Sequence, residues 1–300
     1  MIDVCLLGTG GVMPLPDRAL TSLYVCNNGR AVLIDCGEGT QTAVRRAGRK
    51  FSRIEAILIT HFHADHMSGL PGLLLTLGLE GRTEPLDMYG PVGLEYTVSS
   101  LRVIAAELTY DIRFHEIDTE AEPFSFSCAG LDAVAFPVDH GMPCLGYRFE
   151  LARKPKFDTN RAKEKGIPTK FWGKLQGGQS VGGFEPSDVL GEPRKGISFL
   201  YATDTRPVPE IELYGKNADL MILEGMFGDG EKQERAEETH HMMMWEAAKI
   251  ARDSEASELW LTHYSPAMAK PAEYSEMLSG IFENTVICED GHSAALSFKD

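Results

Sequence analysis

Three histidines and an aspartate fall within six consecutive residues, His61-Phe62-His63-Ala64-Asp65-His66. So dense a set of imidazole and carboxylate donors is costly to place anywhere except around metal. The apolar run Ala56-Ile57-Leu58-Ile59 before them reads as a buried strand ending at Thr60, which puts the donors in a loop at a strand's end, where sites commonly form. A hydrolytic site leaves one coordination position for water, so His61, His63, Asp65 and His66 are too many for one open site, and two metals are the natural reading. Further donors are expected just after other apolar runs: His140 in Val138-Asp139-His140-Gly141, Asp204 in Tyr201-Ala202-Thr203-Asp204-Thr205, and His263 in Leu261-Thr262-His263-Tyr264. Taken singly, each would read as a hydrogen-bonded histidine or a turn aspartate. Their shared position after a strand, alongside the dense cluster, makes them candidate ligands. His115, His240 and His292 lack that setting and read as surface or structural residues.

The elements that must position these donors are legible as short apolar strands at Val4–Leu7, Leu23–Val25 and Ala31–Ile34. They lead into Asp35-Cys36-Gly37-Glu38-Gly39-Thr40, a tight turn before a helix near Gln41–Arg46. After the histidine loop, Gly69–Leu79 reads as a short buried helix, Leu86–Tyr89 as a strand and Leu94–Ala106 as an amphipathic helix. Strands are expected again at Leu131–Val138, Leu145–Glu150, Ile197–Ala202, Leu220–Leu223 and Leu259–Thr262, with helices at Met242–Arg252 and Pro271–Phe282. Two sheets covered by helices fit this order. One large domain over residues 1–300 is expected, with 153–195 as an excursion from it, because that stretch is rich in Lys, Gly and Pro and long for a connection.

Composition narrows the function. A formal net charge of −15 argues against broad adhesion to nucleic acid or to an anionic membrane, since such binding rests on neutralising phosphates. Any basic surface must be local, and one exists: Arg153 to Lys174 carries eight basic residues against two acidic ones. No apolar stretch is long enough to cross a bilayer, and Met1–Leu7 shows no basic leader, so a cytoplasmic location is expected. The six cysteines are scattered without a Cys-x-x-Cys pair and read as buried reduced thiols.

Over nearly its whole length the chain resembles the metallo-β-lactamase superfamily, and within it the ribonuclease Z family. The residues that carry the likeness are Leu7-Gly8-Thr9-Gly10-Gly11, Asp35-Cys36-Gly37-Glu38-Gly39-Thr40-Gln41, the six-residue cluster, Thr203-Asp204-Thr205-Arg206-Pro207, Glu224, and His241 followed by Glu246-Ala247-Ala248. The resemblance implies an α/β architecture, an αββα sandwich of two mixed sheets flanked by helices with an inserted basic arm, and two Zn²⁺ ions between the sheets, with Mn²⁺ or Fe²⁺ able to occupy such sites. It also implies the ligand sets: His61, His63 and His140 for one ion; Asp65, His66 and His263 for the other; Asp204 bridging. Asp65 would orient the attacking water, and His241, held by Glu224, would protonate the leaving oxygen. The implied substrate is precursor tRNA, trimmed of its 3′ trailer, and the implied assembly is a homodimer. A redox di-iron relative would be expected to carry a carboxylate in place of His63, and a β-lactamase a cysteine near Asp204.

The basic segment resembles that family's flexible tRNA-gripping arm, with Lys163, Lys165, Lys170 and Lys174 as candidate phosphate contacts and Phe157, Phe171 and Trp172 as faces for sugars or bases. Two departures stand out. Thr169-Lys170-Phe171-Trp172 replaces the family's usual Gly-Pro, and His263 is followed by Tyr264-Ser265-Pro266-Ala267-Met268 in place of a serine pair and an arginine. They keep open a second reading, a binuclear hydrolase of small phosphodiesters or other esters. A non-catalytic RNA-binding protein is a third.

Overall fold

The computed structural model describes residues 1–299. Seven strands make a first mixed sheet: β1 (Ile2–Gly8), β2 (Ser22–Asn27), β3 (Arg30–Ile34), β4 (Ile54–Leu58), β5 (Leu86–Pro91), β6 (Ile112–Ile117) and, from the far end of the chain, β14 (Ser293–Leu296). Its order is β14-β1-β2-β3-β4-β5-β6, antiparallel as far as β3 and parallel from there on. The second sheet repeats the plan with β7 (Phe124–Cys128), β8 (Leu131–Pro137), β9 (Leu145–Arg153), β10 (Arg194–Ala202), β11 (Leu220–Glu224), β12 (Leu259–Thr262) and β13 (Thr285–Ile287). It too is antiparallel as far as β10 and parallel beyond.

The parallel strands β4, β11 and β12 are mostly apolar, interrupted only by Glu55 and ending in Glu224 and Thr262, because both of their faces are covered. Between the sheets lies a core that includes Val4, Val25, Ile34, Leu58, Tyr147, Phe149, Phe199, Tyr201, Ile222 and Trp260. Outside the first sheet, Leu33, Ile57 and Met88 meet α1 (Thr40–Arg46), α3 (Leu70–Leu79) and α4 (Leu94–Leu101), with the one-turn α2 (Ala64–Met67) between α1 and α3. Outside the second, Leu200, Met221 and Leu261 meet α7 (Pro209–Gly215), α9 (Met244–Asp253) and α10 (Ser275–Ser279). All six cysteines are free and buried. No helix among the described residues is long and apolar enough to cross a membrane.

Several expected boundaries move. The helix expected over 94–106 ends at Leu101 and tightens into a 3₁₀ turn, Arg102–Ala105. The one expected over Pro271–Phe282 is a 3₁₀ turn, Pro271–Tyr274, followed by only five residues of α10. The edge strands β6, β7, β13 and β14 lie outside the expected set: β13 and β14 are short and only partly buried, whereas β6 and β7 alternate apolar and polar residues, a signal that could have found them.

Between β9 and β10 the chain forms α5 (Thr159–Glu164) and α6 (Thr169–Gln176) around a small core of their own. Ala162, Ile167, Leu175 and Val189 are buried there, with Phe157, Phe171, Trp172, Val181 and Phe184 packed against them. The Asp158 side chain caps α5 by accepting from the Asn160 and Arg161 amides. The aromatic residues expected to offer faces to RNA are therefore committed inward: Phe157 meets Trp172 at 5.3 Å between ring centroids, and Trp172 Nε1 donates to the Ile167 carbonyl at 3.0 Å. Their large apolar area is worth more inside this small cluster than in solvent. The α8 helix (Gln233–Glu238) leads from β11 toward α9.

Candidate metal centre

Four strand ends deliver the donors to one groove. After β4, Thr60 and His61 are buried, and α2 carries Asp65 and His66 inward while His63 stands exposed at the groove. His140 follows β8, Asp204 follows β10 and His263 follows β12. Asp204 (φ 56°) and His263 (φ 56°) turn sharply out of their strands in the left-handed region, as does Asp35 (φ 59°) just past β3. Such backbone is sparsely populated for non-glycine residues and persists where surrounding structure over-determines it. The opening loop must also come close: a Cβ on Gly11 would stand 2.5 Å from the His263 ring.

The donors form two main groups, His61, His63, His140 and Asp204 in one and Asp65, His66 and His263 in the other, and a third set, Asp204, His241 and His263, overlaps both. In one, His63 Nδ1 lies 3.0 Å from His61 Nε2 and 3.1 Å from His140 Nε2, and Asp204 Oδ1 lies 3.6 Å from His140 Nε2 and 3.9 Å from His61 Nε2. In the other, His66 Nε2 and His263 Nε2 are 3.2 Å apart and each is 3.2 Å from Asp204 Oδ2. Asp65 Oδ2 completes that group at 3.7 Å from His66 and 3.4 Å from His263. Ligands held at zinc bond lengths in a tetrahedron are roughly 3.3 Å apart, so these spacings fit a metal in each group. Asp204 Oδ2 is buried without a hydrogen-bond partner, which a carboxylate tolerates when a cation faces it. The residues present therefore fit metal ions.

Second partners aim the ligands. Asp35 Oδ2 takes His66 Nδ1 at 2.8 Å, while its other oxygen accepts from the Thr60 amide at 2.9 Å. That bond fixes the His66 tautomer and frees Nε2 for the groove. His140 Nδ1 donates to the His240 carbonyl at 3.2 Å, and the Val12 amide donates to Asp65 Oδ2 at 2.6 Å. Electrostatics follow. Burial pushes His61 and His140 below the ordinary imidazole range, toward the neutral form that binds metal. Burial also opposes charge on His66, but the carboxylates of Asp204 and Asp35 outweigh it and raise its pKa. Burial would raise Asp65, yet its hydrogen bond with His263 and the nearby imidazoles hold it well below the usual carboxylate range.

His241 sits at the edge of this cluster, its ring 5.0 Å from that of His140 and 5.8 Å from that of His263. Its Nδ1 meets Glu224 Oε2 at 2.9 Å and lies 4.0 Å from Asp204 Oδ1. Burial lowers its pKa, but the Glu224 carboxylate prevails and raises it to about 9. The other oxygen of Glu224 accepts from the Thr205 amide at 2.6 Å, so one carboxylate joins the Asp204 loop to the His241 ring.

Every candidate metal ligand thus lies in one groove, with His241 and Glu224 beside it. The four lysines do not: Lys163, Lys165, Lys170 and Lys174 are exposed on the segment between β9 and β10, and Lys165 is ion-paired with Asp188. His115 bonds Asp87 at 2.8 Å and His292 packs on Trp260, both away from the groove. His240 is nearer than its sequence setting suggests, at the rim with Nδ1 2.7 Å from Asp139. Sequence reasoning assigned no role to Asp35, Thr60 or Thr205. Asp35 stands inside a quoted motif, which is the one signal that could have found it.

Comparison with known proteins gives a consistent picture. Residues 2–113 match the family model described as anti-Pycsar protein Apyc1, and residues 187–264 match the beta-lactamase superfamily domain. Ribonuclease Z of Lachnospira eligens is 47% identical, over 100% of this chain and 99% of its own length. Ribonuclease Z of Clostridioides difficile is 39% identical over the full length of both. Among solved structures, the short form of human tRNase Z superposes with a TM-score of 0.72 at 25% identity, covering 99% of this chain and 100% of its own. A diphosphatase from the PhnP family shares the fold at a TM-score of 0.67 and 19% identity, covering 99% of each chain.

Proposed function

The chain belongs to the ribonuclease Z family of the metallo-β-lactamase superfamily, and from that premise we propose that it is a metal-dependent endoribonuclease that removes the 3′ trailer from precursor tRNA. The observation that carries this reading is the Glu224–His241 pair, a buried carboxylate and imidazole joined at 2.9 Å beside the two donor groups.

We take the resident metals to be two Zn²⁺ ions: His61, His63 and His140 would hold one, Asp65, His66 and His263 the other, and Asp204, whose oxygens face both groups, would serve both. Bound there, they supply Lewis acidity toward a phosphoryl oxygen and lower the pKa of water. Asp65, oriented by the Val12 amide, accepts a proton from the attacking water. As the water oxygen bonds to phosphorus, the bond to the leaving ribose oxygen breaks, and that oxygen keeps the electron pair of the broken bond and receives a proton from His241. Glu224 accepts from His241 Nδ1, which leaves Nε2–H as the donor.

The segment 153–195 serves as an arm that meets the tRNA body through Lys163, Lys170 and Lys174, its own core keeping these cations on a defined surface. The functional unit is a homodimer in the cytoplasm. Exposed apolar side chains support pairing with a second copy: Leu79, Tyr96, Val103 and Ile104 stand exposed on α3, α4 and the 3₁₀ turn that follows α4, three elements that pack on one another.

Cleavage of a trailer-bearing precursor tRNA by zinc-loaded protein, run beside bis(p-nitrophenyl) phosphate, tests the reading. Efficient trimming at the tRNA 3′ end is expected. Hydrolysis of the small diester without trimming would refute the tRNA assignment and leave a phosphodiesterase.

A further inference from the structure

The Thr203–Arg206 loop carries more than Asp204. The Arg206 side chain is only 17% exposed, and its guanidinium forks onto Glu246, Nη1 to Oε2 at 2.9 Å and Nη2 to Oε1 at 2.7 Å. The same Nη1 donates to the carbonyl of His241 at 2.5 Å. The Arg206 amide donates to the Asp139 carbonyl at 2.9 Å, one residue before His140. Glu246 Oε2 in turn accepts from the Met243 amide at 2.9 Å and so fixes the start of α9.

His241 occupies an irregular stretch between α8 and α9, where no helix or strand ladder sets its backbone. Its amide bonds the Ala236 carbonyl at 2.8 Å, and its own carbonyl is taken by Arg206. A nearly buried ion pair is weak as a source of stability, because desolvation offsets most of the attraction. This one satisfies several donors at once and ties the bridging-ligand loop, the His140 loop and the His241 backbone together. That arrangement suits a device for geometry, since proton transfer demands hydrogen-bond reach and a small misplacement costs rate.

We propose that Arg206 and Glu246 are a positioning pair that holds His241 in register with the leaving oxygen. The proposal rests on the acid role given to His241 above. It predicts a dependence on the leaving group. A ribose oxygen departs poorly unless protonated, so RNA cleavage needs His241 in place. A p-nitrophenolate departs without a proton, so hydrolysis of bis(p-nitrophenyl) phosphate needs it far less.

The test compares Arg206→Met, Glu246→Gln and Arg206→Lys as zinc-loaded full chains on both substrates. With Arg206→Met and Glu246→Gln, kcat on precursor tRNA should fall by roughly ten- to a hundredfold with KM changed by less than about threefold, while the small diester is slowed much less. Arg206→Lys, which keeps the charge but loses the fork, should fall between. The double variant Arg206→Met/His241→Ala should cut RNA no more slowly than His241→Ala, because the pair acts through that residue. If Arg206→Met unfolds, Arg206→Met/Glu246→Leu, which leaves no buried charge alone, takes its place. Equal slowing of both substrates by the Arg206 and Glu246 variants, or a double variant slower by the product of the single effects, overturns the positioning role. Equal slowing by His241→Ala itself overturns the acid role, and the positioning role with it.

Discussion

Val12 donates its amide to Asp65 Oδ2 across 2.6 Å from a backbone held at φ 69°. A β-branched residue in the left-handed region is strained, and this one is 61% exposed, so its side chain gains little from burial in return. Val12→Gly keeps the amide and relieves the strain of roughly 1–2 kcal/mol, partly offset by the greater freedom of glycine in the unfolded chain. A net gain of about 0.5–1 kcal/mol is expected in urea unfolding. A loss of stability would show that the valine side chain has a packing role at the groove's mouth.

His241 and Asp204 should separate on two measurements. His241→Ala is expected to keep zinc near wild-type content while turnover on precursor tRNA falls by about two to four orders of magnitude, the range for losing an acid–base group. Asp204→Ala should lower metal content, because both of its oxygens face donor groups. Metal analysis by mass spectrometry reads both. Loss of both zincs from His241→Ala would make it a ligand, and a full complement in Asp204→Ala would refute the bridge.

The arm's exposed lysines should register as salt dependence. With Lys163, Lys170 and Lys174 all changed to alanine, the slope of log affinity for tRNA against log salt should flatten by roughly 2–3, since each phosphate contact contributes about 0.7–0.9. Thermal stability should hardly move, because all three are exposed. Lys165 is left out because Asp188 already neutralises it. An unchanged slope would place the tRNA elsewhere.

Alkali should unfold the protein progressively. Burial pushes Cys128, Tyr24 and Tyr110 up to about 12, far above their values in an unfolded chain. Groups raised in the native state stabilise it below the unfolded pKa and lose that contribution as pH climbs through the folded one. The unfolded state then binds fewer protons, so stability falls with rising pH. Urea midpoints should therefore hold to about pH 8 and decline from there toward pH 12. A flat profile to pH 12 would mean that these groups ionise as freely in the fold as outside it.

The ligands were readable because each is a local event, an apolar run followed at once by a donor. That pattern placed His61, His140, Asp204 and His263 after strands without knowledge of how the strands pair. The supports were not readable, because they are pairings between distant positions. Asp35 meets His66 and Arg206 meets Glu246 with no periodicity to announce either. Strand order was equally hidden: β14 reaches back to β1 across nearly the whole chain, with no local pattern in either strand to name its partner. In the segment between β9 and β10, apolar residues too sparse to show a period nonetheless close a core around Ala162 and Leu175.

That pairing of β14 with β1 has a consequence during synthesis. β1 cannot find its outer neighbour until β14 has been made, after all the other described strands. Until β12 is made the groove lacks His263, so a growing chain carries an incomplete donor set and cannot yet assemble the whole centre.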